Sequence, residues 1–202
     1  MRVPRLKEEK KLITAFGAEQ IERLISFHPR TLTERRLHAL SCLILDTGLR
    51  INEALSLERV DVDYGSLLLK VRGKGGKHRS VPISIQMMKA LFRFSKEHEP
   101  EYGDLLFFVN KGLKIHQRNA LRDFKRLCDK LGIRGPRCSF HTLRHTFGKC
   151  YIRNGGDVFR LQRILGHASL QMTRRYVELD TADLQVVHHR LSAFAVAARA
   201  PS

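Results

Sequence analysis

Apolar residues recur at helical spacing near the start of the chain. They do so from Ala18 to Phe27 and again from Leu32 to Asp46, so each segment predicts a helix with one apolar face. Gly48 follows the second segment and is a typical residue at a helix C-terminus. The apolar positions on the two predicted faces are Ile21, Leu24, Ile25, Leu37, Leu40, Ile44 and Leu45.

The pattern becomes that of a sheet between Val60 and Ile83. Tyr64-Gly65 marks one turn and Gly73–Gly76 a second, which predicts two or three short antiparallel strands. Pro82 has no backbone N–H to donate and is expected to end the last strand.

Helical segments dominate the rest of the chain, and Ser139, Asp157, Ser169 and Thr181 can each cap one of them. The predicted fold class is therefore mainly α with a small antiparallel β-sheet (α+β). The predicted helices are Ile85–Lys96, Ile115–Leu131, Ser139–Asn154, Val158–Leu165, Leu170–Leu179 and Ala182–Ala197, with an extended segment at Asp104–Val109.

Positive charge points to a polyanionic partner. The 202 residues include 37 Lys and Arg against 20 Asp and Glu, a net charge of +17. A surface this basic attracts polyanions, of which nucleic acid is the commonest. The second half of the chain carries the larger share of the excess, so it is expected to supply more of the binding face.

Several protein classes are disfavoured. No apolar run approaches the roughly 18 residues of a membrane span, and the start of the chain has no signal-peptide core. The cysteines at positions 42, 128, 138 and 150 form no C-x-x-C pair, so we expect reduced thiols and a cytoplasmic, nucleoid-associated protein. Neither a cofactor nor a metal is expected, because no zinc-finger spacing, Walker loop or carboxylate cluster is present.

Arg50 and Lys74 are the first candidate phosphate ligands. Arg50 lies in TGLRINEAL, in a tight connection between two predicted helices, and Glu53 could orient its guanidinium. Lys74 lies in GKGGKH, at the tip of the predicted hairpin, where glycines permit close approach to a ligand. Taken alone, a structural Arg–Glu pair and a solvated basic turn explain these residues equally well or better.

His141 and Arg144 form an H-x-x-R pair on the helix that Ser139 opens. Their i, i+3 spacing places both on one face, close to a helix N-terminus that favours anions. His145 could share this face, although its neighbours Leu143 and Phe147 suggest that it borders the core.

His167 and Tyr176 complete the candidate set. His167 follows Leu165-Gly166 at a predicted break between helices, and Tyr176 is expected on the next helix beside Arg174 and Arg175. A phenol has a pKa near 10, so a nucleophilic tyrosine needs strong electrostatic help, which clustered arginines could supply.

Taken together, these motifs resemble the tyrosine recombinase (phage integrase) family, specifically its catalytic domain. The resemblance covers roughly residues 13–185, with residues 1–12 as a basic arm and residues 186–202 as the end of a C-terminal helix and a tail. The matching segments are TGLRINEAL, GKGGKHRSVPI, HTLRHTF and LGHASLQMTRRY.

The resemblance implies a role for each residue. Tyr176 would attack a DNA phosphate and form a 3′-phosphotyrosine bond, while Arg50 and Arg144 would hold the non-bridging oxygens. Lys74 would protonate the leaving 5′-oxygen. The remaining implied roles are proton transfer at the tyrosine for His141, a phosphate hydrogen bond for His167 and support of the first arginine for Glu53.

The resemblance implies a site-specific recombinase that acts on double-stranded DNA in integration, excision or inversion. It also implies a homo-oligomer, expected to be a tetramer on synapsed DNA. Two alternatives remain: an inactive DNA-binding relative and a type IB topoisomerase-like nicking-closing enzyme. A basic module with accidental motifs is disfavoured. The chain starts where the family's N-terminal core-binding domain would end, so we expect either a fragment or a naturally short protein. The helix Ala182–Ala197 could dock on a neighbouring subunit or pack on its own domain.

Overall fold

The computed structural model describes residues 14–73, 76, 78–97, 103–109, 112–135 and 137–177, and the single residues 188 and 192. The predicted basic arm 1–12 lies outside the described residues. So do the predicted helix Ala182–Ala197 and the tail 186–202, apart from the two single residues. The predictions for these segments therefore stay predictions.

Within the described part of the chain, the architecture is mainly helical with two small antiparallel sheets, which confirms the predicted fold class. None of its helices combines the length and the apolarity needed to cross a bilayer. The helices are α1 Ala18–Ile25, α2 Leu32–Thr47, α3 Ile51–Ala54, α4 Ile85–Glu97, α5 Gln117–Lys130, α6 Phe140–Arg153, α7 Val158–Leu165 and α8 Leu170–Arg174. The strands are β1 Val62–Asp63, β2 Leu68–Arg72, β3 His78–Pro82, β4 Phe108–Val109 and β5 Leu113–Lys114.

Helix α2 is the centre of the core and packs against α4, α5 and α6. It begins at a capping box in which Thr31 accepts from the Glu34 N–H, and it ends at Gly48 with φ +67°. Leu40, Leu43 and Ile44 are fully buried, because they lie on the face that meets three other helices. The expected burial of Ile25 on α1 is wrong, since that side chain is 57% exposed.

The first sheet confirms the predicted strands between Val60 and Ile83, in the order β1-β2-β3. Leu69 pairs with Val81 and Val71 pairs with Arg79. Arg79 and Val81 are two residues apart and therefore lie on the same, inward face of β3. Val81 enters the core, while Arg79 is partly buried and reaches toward α3 and α7.

The second sheet differs from the prediction. The extended segment Asp104–Val109 does contain a strand, β4, but it pairs with β5, which was predicted as neither strand nor helix start. Helix α5 therefore begins at Gln117 rather than Ile115, with the His116 side chain as its N-cap.

Helix α8 is shorter than predicted. It ends at Arg174, and the Tyr176 N–H donates to the Thr173 carbonyl in a closing turn. Tyr176 therefore lies just beyond the helix rather than on it. The reason is tertiary, since the tight turn lets the tyrosine ring pack with Leu161 and Leu165.

Candidate active site

Helix α6 carries two of the candidate residues, His141 and Arg144, with His145 beside them. Ser139 begins it by accepting a hydrogen bond from the Thr142 N–H, at 3.2 Å. Leu143 is completely buried and fixes the rotation of the helix against the core. That rotation leaves His141 exposed at the surface and buries Arg144, while His145 is partly buried.

Arg144 is almost completely buried, with 3% of its surface exposed. Its Nη1 donates to the Gly48 carbonyl at 2.7 Å, and its Nη2 donates to the Leu165 carbonyl at 2.8 Å. The two acceptors come from the end of α2 and the end of α7, so the guanidinium is fixed by backbone atoms. Because backbone carbonyls are dipoles without net charge, they hold the arginine in place and leave its full positive charge.

Arg50 lies directly before α3 and shares an acceptor with Arg144. Its Nη1 donates to the Leu165 carbonyl at 3.3 Å and to Glu53 at 3.0 Å, and its Nη2 donates to the Gly166 carbonyl at 3.2 Å. The shared carbonyl brings the two guanidinium groups side by side. The Arg50 side chain is 39% exposed, so an incoming ligand can reach it.

The end of α7 is the common anchor of these cations. The last carbonyl groups of a helix lack partners within the helix and carry the negative end of its dipole. Here the carbonyls of Ile164, Leu165 and Gly166 point at arginines instead. Gly166 closes the helix with φ +64°, a backbone conformation that glycine adopts without strain.

Glu53 joins Arg50 to a third arginine, Arg79 of β3. Arg79 donates Nη1 and Nη2 to the two Glu53 oxygens at 3.0 and 2.9 Å, and its Nε donates to the Ile164 carbonyl at 3.0 Å. Burial alone raises the pKa of Glu53. Hydrogen bonds from Arg79 and from the Arg50 N–H, together with both positive charges, outweigh burial and hold the pKa below its usual value.

Tyr176 lies in a closed slot beside this cluster, with 5% of its surface exposed. Its hydroxyl is 2.8 Å from His145 Nδ1. The ring packs on Gly148 of α6 so closely that a Cβ there would lie 2.8 Å from a ring carbon. His167 lies parallel to the tyrosine ring, with 6.3 Å between the ring centres. Its Nδ1 is 2.9 Å from the Thr173 hydroxyl.

All three histidines of the site have lowered pKa values. Burial and neighbouring cations lower the pKa of His145 to about 4 and that of His167 to about 4, and they also lower the pKa of His141. Each imidazole is therefore neutral at pH 7, so His145 Nδ1 can accept the phenol hydrogen bond. The cations are mainly Arg50, Arg144 and Arg175, with His141 acting on His145.

The cluster carries an excess of positive charge. Burial, and then the neighbouring Arg50, lower the pKa of Arg144 to about 10. Burial raises the pKa of Tyr176, while the charges of Arg144, Arg175 and Arg50 act in the opposite direction. An anion placed between Arg50 and Arg144 would relieve this repulsion, so the pair is suited to bind one.

The structure brings together six of the residues singled out from the sequence. Four separate segments supply them: the α2–α3 connection, α6, the end of α7 and the turn after α8. The six are Arg50, Glu53, His141, Arg144, His167 and Tyr176. Lys74 lies outside the described residues, so its predicted role stays a prediction.

Two residues of the cluster had no assigned part in the sequence-based site. His145, not His141, contacts the phenol; the His141 ring meets the His145 ring edge-on at 5.2 Å. Arg79 supplies the bidentate partner of Glu53. A sequence signal existed only for His145, at i+4 from His141, because a lone arginine in a strand does not reveal its partner.

The described residues contain no cluster of three or more histidine, cysteine or acidic side chains that could hold a metal ion.

The sequence matches the phage integrase family over residues 15–183. Among curated proteins, it is 29% identical over 199 residues to the tyrosine recombinase XerC of Chlamydia trachomatis, covering 93% of this chain and 60% of the relative. It is 31% identical over 200 residues to XerD of Rhizobium meliloti, covering 92% of this chain and 64% of the relative. The chain thus spans about three fifths of the length of these relatives.

Solved structures have the same fold. The XerA recombinase superposes with a TM-score of 0.72 at 29% identity, covering 89% of this chain and 65% of that one. XerH bound to its palindromic difH substrate, in a post-cleavage complex, superposes with a TM-score of 0.73 at 27% identity, covering 91% of this chain and 54% of that one. The catalytic domain of bacteriophage HP1 integrase superposes with a TM-score of 0.63 at 26% identity, covering 90% of this chain and 98% of that one. The chain therefore belongs to the phage integrase family, the tyrosine recombinases.

Proposed function

We propose that this chain is the catalytic part of a site-specific DNA recombinase and that Tyr176 is its nucleophile. One observation carries the proposal: a buried tyrosine lies close enough to two side-by-side arginines to feel both of their charges, and no carboxylate fully neutralises those charges. A phosphodiester has the charge and the two non-bridging oxygens that such a pair of guanidinium groups recognises.

The proposed reaction exchanges one phosphodiester for another. The Tyr176 oxygen forms a bond to phosphorus, the bond to the 5′-oxygen breaks, and the phenol proton passes to a nearby imidazole. Lys74, as predicted from the sequence, donates a proton to the departing 5′-oxygen. The reverse attack by a 5′-hydroxyl restores the DNA and frees the tyrosine, so no energy source is consumed.

Positioning and preformed positive charge would supply most of the rate enhancement. Arg144 is held by backbone carbonyls before substrate arrives, so little reorganisation is needed as charge develops on the phosphoryl oxygens. Arg50 is the more exposed of the pair and would meet the phosphate first. His167 and His141 flank the site and are neutral, so each can offer a hydrogen bond without adding charge.

The proposed partner is double-stranded DNA, in keeping with the net charge of +17 and with the DNA-bound XerH structure. Assembly of four protomers on synapsed DNA, and a cytoplasmic site of action, are further parts of the proposal. The predicted C-terminal helix that would join neighbouring subunits lies outside the described residues.

A covalent trapping experiment tests the proposal. The chain is incubated in EDTA with a library of nicked duplexes in which cleavage releases a short strand, so that religation fails. We expect a denaturant-resistant protein–DNA adduct from the wild-type chain. Tyr176→Phe should form none while keeping its affinity for DNA within a few-fold, because the variant removes only the hydroxyl.

The other outcomes separate the alternatives. DNA binding without any adduct would indicate an inactive relative and contradict the proposal. Adducts of unrelated sequence would indicate nicking-closing of the topoisomerase type. An adduct that persists in Tyr176→Phe would place the nucleophile elsewhere.

A further inference from the structure

Every nitrogen of the Arg79 guanidinium donates a hydrogen bond, and the phenol of Tyr176 is not among the acceptors. All three guanidinium nitrogens are engaged: two with Glu53 and one with the Ile164 carbonyl. The side chain is 17% exposed and the Glu53 side chain 8%. Arg79 therefore has no guanidinium nitrogen without an acceptor in the site.

Glu53 divides its oxygens between two arginines. Oε1 accepts from Arg50 Nη1 as well as from Arg79, and Oε2 accepts from the Arg50 backbone N–H as well as from Arg79. The fork-to-fork pair with Arg79 has the stronger geometry, because two parallel charge-assisted bonds join the same two groups. The Arg50 guanidinium is thus left with one hydrogen bond to the carboxylate, from Nη1, while its Nη2 donates to a neutral carbonyl.

Removing Arg79 would change this balance. A buried carboxylate that loses its main partner must find another cation or take up a proton. The nearest cation bonded to it is Arg50, which would be drawn fully onto Glu53 and away from the phosphate. The net charge of the cluster would also fall. The three guanidinium groups of Arg50, Arg79 and Arg144 now face one carboxylate, and without Arg79 only two guanidinium groups would face it.

Arg79 also holds the turn that follows α7. Its Nε binds the Ile164 carbonyl, and its guanidinium packs on Gly166 so tightly that a Cβ there would lie 3.0 Å from the central carbon. The next residue is His167. One side chain from the sheet therefore fixes both the first arginine, through Glu53, and the turn that carries the last histidine.

We propose that Arg79 is a positioning residue that neutralises Glu53 so that Arg50 remains available to the phosphate. The inference rests on the proposed function. It assigns Arg79 no contact with the DNA or with the reacting atoms, only control of where Arg50 lies and how much charge it keeps.

The test is a charge-rescue cycle measured by single-turnover adduct formation at saturating chain. Arg79→Gln should lower the rate by about 10- to 100-fold with little change in DNA affinity, because the lost interaction matters at the transition state. The double variant Arg79→Gln/Glu53→Gln restores the net charge of the cluster and frees Arg50, so it should recover at least half of the loss on a logarithmic scale. Arg23→Gln, which breaks an exposed arginine–glutamate pair, is the matched control and should react at the wild-type rate.

A rate for Arg79→Gln equal to wild type would overturn the inference. So would a double variant as slow as Arg79→Gln, because a packing role cannot be rescued by removing a second partner. Melting curves verify folding. If Arg79→Gln does not fold, Arg79→Lys takes its place, because it keeps the charge but loses the fork. Its rate should lie between the wild-type rate and one tenth of it, and a rate below one tenth would count against the idea.

Inorganic phosphate gives a readout that does not depend on cleavage. Calorimetric titration should show weaker phosphate binding by Arg79→Gln and recovery in the double variant. Equal affinity in all three proteins would overturn the inference. Adduct formation by the wild-type chain tests the proposed function separately. A failure of the proposed function can therefore be told apart from a failure of the role inferred for Arg79.

Discussion

Tyr176 is shaped by two kinds of neighbour, one polar and one steric. His145 meets its hydroxyl, and the bare backbone at Gly148 admits its ring. A tyrosine needs room on both faces if it is to present its oxygen at a defined place, and no other residue at position 148 would leave that room. The slot, more than the hydrogen bond, decides where the nucleophile lies.

Gly148→Ala should therefore displace the tyrosine. The new Cβ would lie 2.8 to 2.9 Å from three ring carbons, well inside ordinary contact distance. Alanine is intrinsically better than glycine in a helix by about 1 kcal/mol, so a net loss of stability must come from the clash with the ring. We expect adduct formation to fall by about tenfold or more, with the free energy of unfolding lowered by about 1 to 3 kcal/mol through overpacking.

Gly17→Ala is the matched control, since nothing lies within 4 Å of a Cβ at that position. The measurements are adduct formation and urea unfolding of both variants. Equal rates for Gly148→Ala and the control would show that the ring position does not govern the chemistry.

Helix ends, rather than helix bodies, assemble the site. The end of α2 supplies Gly48, the start of α3 follows Arg50, and the last carbonyls of α7 bind three arginines. Unpaired backbone groups are concentrated at helix ends, so these are the places where side chains can be tied to the backbone. The stability of each helix end is therefore coupled to the geometry of the site.

Helix α6 offers a direct test through its N-cap. Ser139→Ala removes the acceptor for the Thr142 N–H and should lower the free energy of unfolding by about 1 kcal/mol. Ser169→Ala at the start of α8 is the control, because that serine makes no side-chain cap bond and should cost less. Thermal unfolding of both variants measures the difference. An equal loss in the two would mean that the Ser139 cap contributes nothing specific.

The fold of the whole molecule gathers arginines around two half-buried histidines, His145 and His167. The pKa of His145 and that of His167 are each lowered to about 4, against a usual value near 6.5. The unfolded chain therefore takes up these protons at a higher pH than the folded chain. As the pH falls from about 6.5 to about 4, protons favour the unfolded state.

The free energy of unfolding should accordingly decline over that window. The decline should be smaller than the two pKa shifts alone imply, because both imidazoles are half-exposed and solvent screens their charges. Below it, Glu53 and Glu34 add a further loss, since the pKa of each is lowered. Urea unfolding at a series of pH values gives the profile. The double variant His145→Asn/His167→Asn should show a flatter slope between pH 6.5 and 4; a slope equal to that of wild type would contradict the assignment.

Most of the fold could be predicted from the sequence because its signals are local. Helix α2 is marked by apolar spacing and by Gly48, and the β2–β3 hairpin is marked by turn residues and Pro82. The errors arose where a distant contact overrides a local preference. Leu113–Lys114 becomes a strand only because β4 lies beside it, and α8 stops at Arg174 because Tyr176 turns into a cavity made by α7.

The candidate site divides in the same way. The motifs and their order along the chain were enough to single out Arg50, Arg144, His167 and Tyr176, because together they resemble those of the tyrosine recombinases. Which histidine touches the phenol, and that Arg79 rather than any other cation faces Glu53, depended on how α6, β3 and α7 pack. Hydrogen bonds across 26 or 31 residues of chain leave no periodic trace, so only the folded structure could assign them.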